Sequence, residues 1–312
     1  MRVVIIGGSG HVGTYLVPKL VAAGHQVINV TRGRSQPYSP HPAWEQVQQV
    51  VLDREAGEAD GTFGQGIRSL GGDAVIDMVC FKLESCQHLV EALRGQVKHL
   101  IHCGTAWVHG HAVQVPITES MPRRPIDDYG IRKAQIEAYL AEQYQNEGFP
   151  ATDLLIGHMV GKGWWPLNPA GNFNPEVFNR LAQGEELALP NFGQETLHHV
   201  HCSDVAQAFL LALENHPQSA GQSFQIASSA ALTLQGYAES AAGWFGKEAR
   251  LKFLPFDEWS QAVSEEDARS TRSHLLHTNQ YSIEKAQRLL GYRPRYTSLQ
   301  ATQEAVFSMR GG

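Results

Sequence analysis

In the segment YGIRK, Tyr129 and Lys133 stand four residues apart. On a helix that spacing brings both side chains out on one face, so their heads approach a common point. A free phenol titrates near ~10, too high for a general base at neutral pH, but a neighbouring ammonium favours the phenolate and lowers that value. The pair can therefore exchange a proton with a hydroxyl. A Tyr and a Lys at this spacing on a solvated helix face is also a common accident, so the pair gains meaning only from its surroundings.

The second chemically suggestive stretch is GGSGHVG, Gly7 to Gly13. Residues 2–6 (RVVII) are β-branched and nearly all apolar, as a strand buried on both faces of a parallel sheet requires. From His11 to Ala23 the apolar positions Val12, Leu16, Val17 and Leu20 follow helical spacing. A glycine turn between such elements lets an anion rest on the first backbone N–H groups of the helix, where the helix dipole favours negative charge. The turn thus reads as a pyrophosphate site, although its glycines fall as Gly7-x-x-Gly10-x-x-Gly13 rather than as the G-x-G-x-x-G dinucleotide fingerprint. A tight turn holding no ligand is the plainer alternative.

The elements needed to position these residues follow in alternation. HQVINV (25–30), VQQVVL (47–52) and DAVIDMV (73–79) read as strands two to four, Ser85 to Arg94 as a helix and VKHLIHC (97–103) as a fifth strand. Asp127 to Asn146 is a long amphipathic helix carrying Tyr129 and Lys133, and ATDLLIG (151–157) is a sixth strand. This βαβ alternation predicts an α/β fold with a doubly wound parallel sheet of Rossmann type, which takes ligands at the carboxyl ends of its strands. The Gly-, Pro-, Asn- and Trp-rich stretch 161–175 reads as a long ordered loop. Helices follow at 176–183, 203–215, 233–245 and 282–290, with short strands near Leu187, at 197–201 and at 222–227.

At 312 residues, with 42% hydrophobic and 18% charged residues, the chain can bury a large core without staples. No apolar run reaches membrane-spanning length, and Met1 to Ile6 leads straight into a strand with no signal-peptide pattern, so a cytoplasmic location is expected. A formal charge of −6 speaks against a nucleic-acid partner and for a small-molecule substrate. Cys80, Cys86, Cys103 and Cys202 show no C-x-x-C pairing and read as reduced packing residues. Neither HHVH (His198 to His201) nor HGH (His109 to His111) is joined by an acidic or Cys cluster that would complete a coordination shell, so no metal is expected.

The glycine turn at the first strand, HCGTAWVHG (102–110) after the fifth and Y-x-x-x-K on the next helix occur in an order that resembles the extended short-chain dehydrogenase/reductases, the NAD(P)-dependent epimerase/dehydratase family. HHVHCSDVAQAF (198–209) and KAQRLLGYRP (285–294) are similar to two further segments of that family, so the resemblance spans essentially the whole chain. It implies a Rossmann domain over 1–160 and 197–229 and a smaller C-terminal substrate-binding lobe over 161–196 and 230–312, with a homodimer as an open option.

The resemblance further implies that Gly7, Gly10 and Gly13 cradle the pyrophosphate with Ser9, His11 and Val12, that Thr31 and Arg32 stand at the adenosine ribose, and that Asp53 and Arg54 lie near the adenine. Met78 and Val79 would border the cofactor as well. Thr105 would hold the substrate oxygen, Tyr129 exchange its proton, and Lys133 bind the nicotinamide ribose while polarising Tyr129. Lys82, Trp107 and His109 would face the substrate. The chain departs from the family where V-Y-G becomes Val108-His109-Gly110 and where Ala106 and Trp107 replace the acidic pair of the 4,6-dehydratase branch. Dehydration by that route therefore lacks its acid and base, and His109 stays open between a substrate contact and a strand-end residue.

The implied activity is hydride exchange between NADP or NAD and a hydroxyl-bearing carbon of a sugar-like substrate, as a dehydrogenase/reductase or an epimerase. A nucleotide-sugar epimerase and a cofactor-binding regulatory or RNA-binding protein of the same fold are the alternatives. NADP is the expected cofactor, because the second strand ends Val30-Thr31-Arg32-Gly33-Arg34 without the carboxylate that would repel a 2′-phosphate. The 161–175 loop is expected to roof the nicotinamide, with Trp164 or Trp165 stacking on a sugar ring and Asn172 meeting hydroxyls. A loop that only packs, leaving the substrate to C-terminal residues, is the plainer reading.

Overall fold

Four consecutive apolar side chains, Val3 to Ile6, leave strand β1 (Arg2–Ile6) no exposed face, so it can only run through the middle of a sheet covered on both sides. In the computed structural model, which describes residues 1–311, it does so. The first half of the chain runs α1 (His11–Ala22), β2 (Gln26–Thr31), β3 (Gln48–Val51), α2 (Arg54–Ala59), α3 (Phe63–Ser69), β4 (Ala74–Asp77), α4 (Leu83–Leu93), β5 (His99–Thr105), α5 (Asp128–Glu147) and β6 (Ala151–Ile156). It continues with β7 (His158–Val160), α6 (Glu176–Gln183), β8 (Glu186–Pro190), β9 (Thr196–Leu197), β10 (His199–His201), α7 (Cys202–Glu214), α8 (His216–Ser219) and β11 (Gln222–Ile226). The last elements are β12 (Leu232–Thr233), α9 (Leu234–Gly243), β13 (Arg250–Leu254), α10 (Phe256–Gln261), α11 (Glu265–Leu275), α12 (Glu284–Leu290) and α13 (Ser298–Arg310).

The main sheet has seven strands in the order β11-β6-β5-β4-β1-β2-β3, every pairing parallel. The order reverses between β1 and β4, and the crevice at that reversal is where a doubly wound sheet receives ligands. One core lies between the sheet and α1, α7 and α12 and contains Leu16, Val17, Leu20, Phe209 and Leu290. The other lies beneath α3, α4 and α5 and contains Ile67, Leu89, Leu93, Ile136 and Leu140.

A third core is built from Phe178, Leu181, Leu189, Tyr237 and Trp259 around α6, α9, α10 and the parallel β8–β13 pair. It forms a separate, smaller core built mainly from the C-terminal part of the chain. The helices α2, α10, α11 and α13 and the strand β13 were not legible from hydrophobic periodicity. Helix α2 buries no residue at all, whereas α13 carries a signal that periodicity misses: a capping box in which Thr297 and Gln300 satisfy each other's backbone N–H groups.

Candidate active site

The turn after β1 divides the work of its glycines. Gly7 has φ +87, and a Cβ there would lie 2.7 Å from Val79 Cγ1; a Cβ on Gly13 would lie 1.9 Å from the Gly8 carbonyl oxygen. These two glycines let the turn close against β4 and α1. At Gly10 a Cβ would meet only the Gly7 oxygen at 3.6 Å, an ordinary contact, so the fold itself does not demand glycine there. Gly10 is the N-cap of α1 and offers its first-turn N–H groups no side-chain acceptor. Donors left open at a helix N-terminus fit the pyrophosphate of a dinucleotide.

This turn opens on a cavity of about 320 Å³ lined by Gly7, Ser9, Gly10, Thr31, Arg32, Arg34, Arg54 and Val79 among others, enough for the adenosine half of such a cofactor. Ser9 Oγ is held by Asn29 Nδ2 at 3.0 Å. Val12 is buried in the core, so only its backbone can serve a ligand, and Met78 supports Gly7 from below. Two residues expected near the adenine have other commitments. Asp53 is the N-cap of α2 and accepts the Ala56 N–H at 3.2 Å, while Arg54 grips Asp77 with two bonds of 2.9 Å and Glu58 at 2.6 Å. Arg54 thus lines the cavity as part of a fixed ion cluster.

Thr105 ends β5, and Tyr129 and Lys133 occupy the first two turns of α5, whose N-cap Asp127 accepts the Gly130 N–H at 2.6 Å. The three therefore meet at the carboxyl edge of the sheet. Burial pushes the Tyr129 phenol up to about 12, with the charges of Cys103, Asp153 and Asp127 adding to the rise and a hydrogen bond from Thr105 opposing it. The ammonium of Lys133 was expected to lower this value. It does not lead here, because Lys133 is buried and its Nζ donates to the carbonyl oxygens of Cys80 and Cys103, each at 2.7 Å.

Of the residues expected on the substrate side, Trp107 lies beside Tyr129. Its indole stacks on His277 at 4.0 Å and stands edge-on to Tyr129 at 6.0 Å and to His274 at 5.5 Å. His158 lies 5.4 Å from His274, and half-exposed Phe173 lies 5.4 Å from the same ring. Burial lowers the pKa of His158, His274 and His277, so this wall presents neutral imidazoles. Sequence reasoning missed these three histidines and Phe173. They come from three distant segments, and only His158, directly after the sixth strand, had a position that could have flagged it.

The rest of the expected substrate group disperses. Trp164 stacks on His11 at 3.7 Å, with Tyr38 4.4 Å from that histidine, so it covers the start of α1 rather than a sugar. Trp165 lies against Phe178 in the C-terminal core, and Asn172 is buried with its amide on Thr271 at 3.1 Å. Both are held by packing and hydrogen bonds inside the lobe. His109 is buried at the end of a short 3-10 helix that follows β5, and its Nε2 meets Gln225 at 2.7 Å. Lys82 is the exposed N-cap of α4. The paired histidines after β9 are likewise spoken for, His198 by Ser228 O at 3.0 Å and His199 by Leu167 O at 3.1 Å. Among the described residues no helix is long and apolar enough to cross a membrane.

The Rossmann-type sheet thus carries an open glycine turn after its first strand and a Thr-Tyr-Lys group at its carboxyl edge. The profile of the NAD dependent epimerase/dehydratase family matches residues 82–227. The chain is 25% identical to UDP-glucose 4-epimerase of Corynebacterium glutamicum, over 99% of this chain and 95% of that one. It is 26% identical to the chloroplast stem-loop binding protein of 41 kDa b of Arabidopsis thaliana, over 95% of this chain and 75% of that one. The crystal structure of UDP-glucose 4-epimerase from Thermotoga maritima superposes with a TM-score of 0.76 at 21% identity, covering 100% of this chain and 99% of that one. Residues 82–227 thus carry the pattern of the NAD dependent epimerase/dehydratase family, and the whole chain shares the fold of the Thermotoga maritima structure.

Proposed function

We propose that the protein is an NAD(P)-dependent oxidoreductase or epimerase that exchanges hydride with a hydroxyl-bearing carbon of a sugar-like substrate. The observation that carries this reading is the convergence of Thr105, Tyr129 and Lys133 at the carboxyl edge of the sheet whose first strand leads into the open first turn of α1. When bound, the nicotinamide supplies or accepts the hydride. Thr105 holds the reacting oxygen, Tyr129 gives or takes its proton, and Lys133 anchors the cofactor ribose; Trp107 and the imidazoles of His158, His274 and His277 offer a ring face and hydroxyl partners. The UDP-glucose 4-epimerases among the relatives favour a nucleotide sugar as one such substrate. The formal charge of −6 weighs against the stem-loop binding for which the Arabidopsis relative is named. Four unpaired thiols fit a reducing, cytoplasmic compartment.

The test is to incubate the protein with NAD+ or NADP+ and a panel of UDP-hexoses, free hexoses and sugar acids, following nicotinamide absorbance and product stereochemistry by NMR. Net absorbance change with an oxidised product marks a dehydrogenase. Inversion at a carbinol carbon without net absorbance change marks an epimerase. No conversion across the panel, with dinucleotide bound, removes the reading.

Within the NAD family we propose a preference for NADP. Arg32 and Arg34 line the cavity at the end of β2, and that strand end carries no carboxylate to repel a 2′-phosphate; Glu55 of α2 is the acidic residue lining the same cavity, facing Arg32, Arg34 and Arg54 in its lining. A charge-assisted bond contributes about 1.5–3 kcal/mol, so NADPH should bind at least about tenfold more tightly than NADH. Arg32→Ala should abolish most of that difference in a fluorescence titration. Equal affinities in the unaltered protein would refute the preference.

A further inference from the structure

Beneath the proposed catalytic group runs a buried polar chain that the reading above leaves unused. His102 on β5 and Asp153 on β6 are register partners across the sheet, and their side chains meet with Nδ1 to Oδ1 at 2.9 Å. The other ring nitrogen, Nε2, stands 3.3 Å from Lys133 Nζ. Lys133, His102 and Asp153 are 1%, 2% and 3% exposed, so water does not share in these contacts.

The protonation pattern follows from the donors alone. An ammonium carries only donors, so the Nε2 facing it must present its lone pair; the ring proton then sits on Nδ1 and is donated to Asp153. The carbonyls of Cys80 and Cys103 also accept from Lys133 Nζ, each at 2.7 Å.

A second feature of β5 points to the same arrangement. Gly104 interrupts a strand of otherwise larger residues, and a Cβ there would lie 2.2 Å from Asp153 Oδ1. Glycine within a strand weakens it and marks the close approach of another group. Here the group that approaches is the Asp153 carboxylate. The strand gives up a side chain one residue before Thr105 to admit that carboxylate, whose charge also reaches the Tyr129 phenol.

We propose that His102 and Asp153 are positioning residues: Asp153 fixes the His102 tautomer, and His102 holds the Lys133 ammonium in place while one of its two carbonyl-bound N–H groups is exchanged for a hydroxyl of the cofactor ribose. This rests on the reading of Lys133 as the ribose ligand. A carboxylate that orients an imidazole, which in turn orients the group that does the binding, is the same logic that fixes metal-bound histidines, applied here to an ammonium.

A double-mutant cycle on NADH and NADPH affinity, read by tryptophan-to-nicotinamide energy transfer, tests the idea without any substrate. Lys133→Met should weaken binding about tenfold, as loss of a charge-assisted bond implies. His102→Gln and Asp153→Asn should each weaken it about fivefold in the intact background and less than about twofold in the Lys133→Met background, because residues acting through one group do not add. Fully multiplicative effects, or unchanged affinity in folded single variants, overturn the positioning role while leaving Lys133 as a ligand. Unchanged affinity in Lys133→Met overturns the underlying reading as well. Ring-nitrogen NMR of the unaltered protein decides the matter even where a variant fails to fold: His102 should show protonated Nδ1 and unprotonated Nε2, and the opposite tautomer refutes the assignment.

Discussion

Tyr129→Phe should lower kcat by about 10³-fold, within the range that a positioned general acid or base contributes, while changing the dissociation constant for NADH by less than about twofold. The physical ground is the environment of the phenol. Burial pushes it up to about 12, so at neutral pH Tyr129 carries its proton and stands ready to deliver it. Phenylalanine keeps the ring that stands edge-on to Trp107 at 6.0 Å and removes only the transferable proton. Lys133→Met should instead damage both constants, since that ammonium is the proposed ribose ligand. Steady-state kinetics on the converting sugar, beside a cofactor titration of each variant, separates the two roles. Retention of more than a few per cent of activity by Tyr129→Phe would mean that another group moves the proton.

The contrast between those two residues shows what the sequence could and could not convey. The spacing of Tyr129 and Lys133 on one helix and their place after the fifth strand were readable from periodicity and order. Where the ammonium would point was not, because that depends on the carbonyls of Cys80 and Cys103, which converge only when β4 and β5 pair. The glycine turn was readable as an anion site, but its three fingerprint glycines looked alike in sequence. The structure shows that Gly7 and Gly13 answer to close packing against Val79 and Gly8, and Gly10 to the open cavity.

The ring cluster beside Tyr129 was the least legible part. Trp164, Trp165 and Asn172 attracted notice because they cluster in a loop with no period, yet local crowding of such side chains says nothing of their direction; one faces His11 and two face inward. The residues that do gather near Tyr129 come from 107, 158, 274 and 277, and their meeting depends on how α11 docks beside β7 and β9.

Acid should unfold the protein well before its carboxylates titrate, because several histidines are buried in neutral form. Burial pushes His99, His109 and His198 each down to about 4 and His199 to about 3, against an ordinary value of 6.5. Each ring is tied into the interior: His99 to Thr152 at 2.7 Å, His109 to Gln225 at 2.7 Å, and His199 to the Leu167 carbonyl at 3.1 Å. His198 is the clearest case. Its Nε2 donates to the Ser228 carbonyl at 3.0 Å while its Nδ1 accepts the Tyr281 N–H, also at 3.0 Å, so a second ring proton would face a backbone donor with no room for both. Since the folded-state values lie below 6.5, the unfolded chain takes up these protons first, and the stability present above pH 6.5 is lost as pH falls toward 4. Each ring adds up to ~1.4 kcal/mol per pH unit to that slope, and a domain of this kind holds only about 5–15 kcal/mol in total, so the midpoint of acid unfolding should fall near pH ~5. Urea unfolding measured from pH 7.5 to 4.5 reads the slope. His198→Asn should cost stability at neutral pH yet flatten the decline by about one histidine's share, and a free energy that stays level between pH 6.5 and 5 would show that these imidazoles find room for their protons in the folded state.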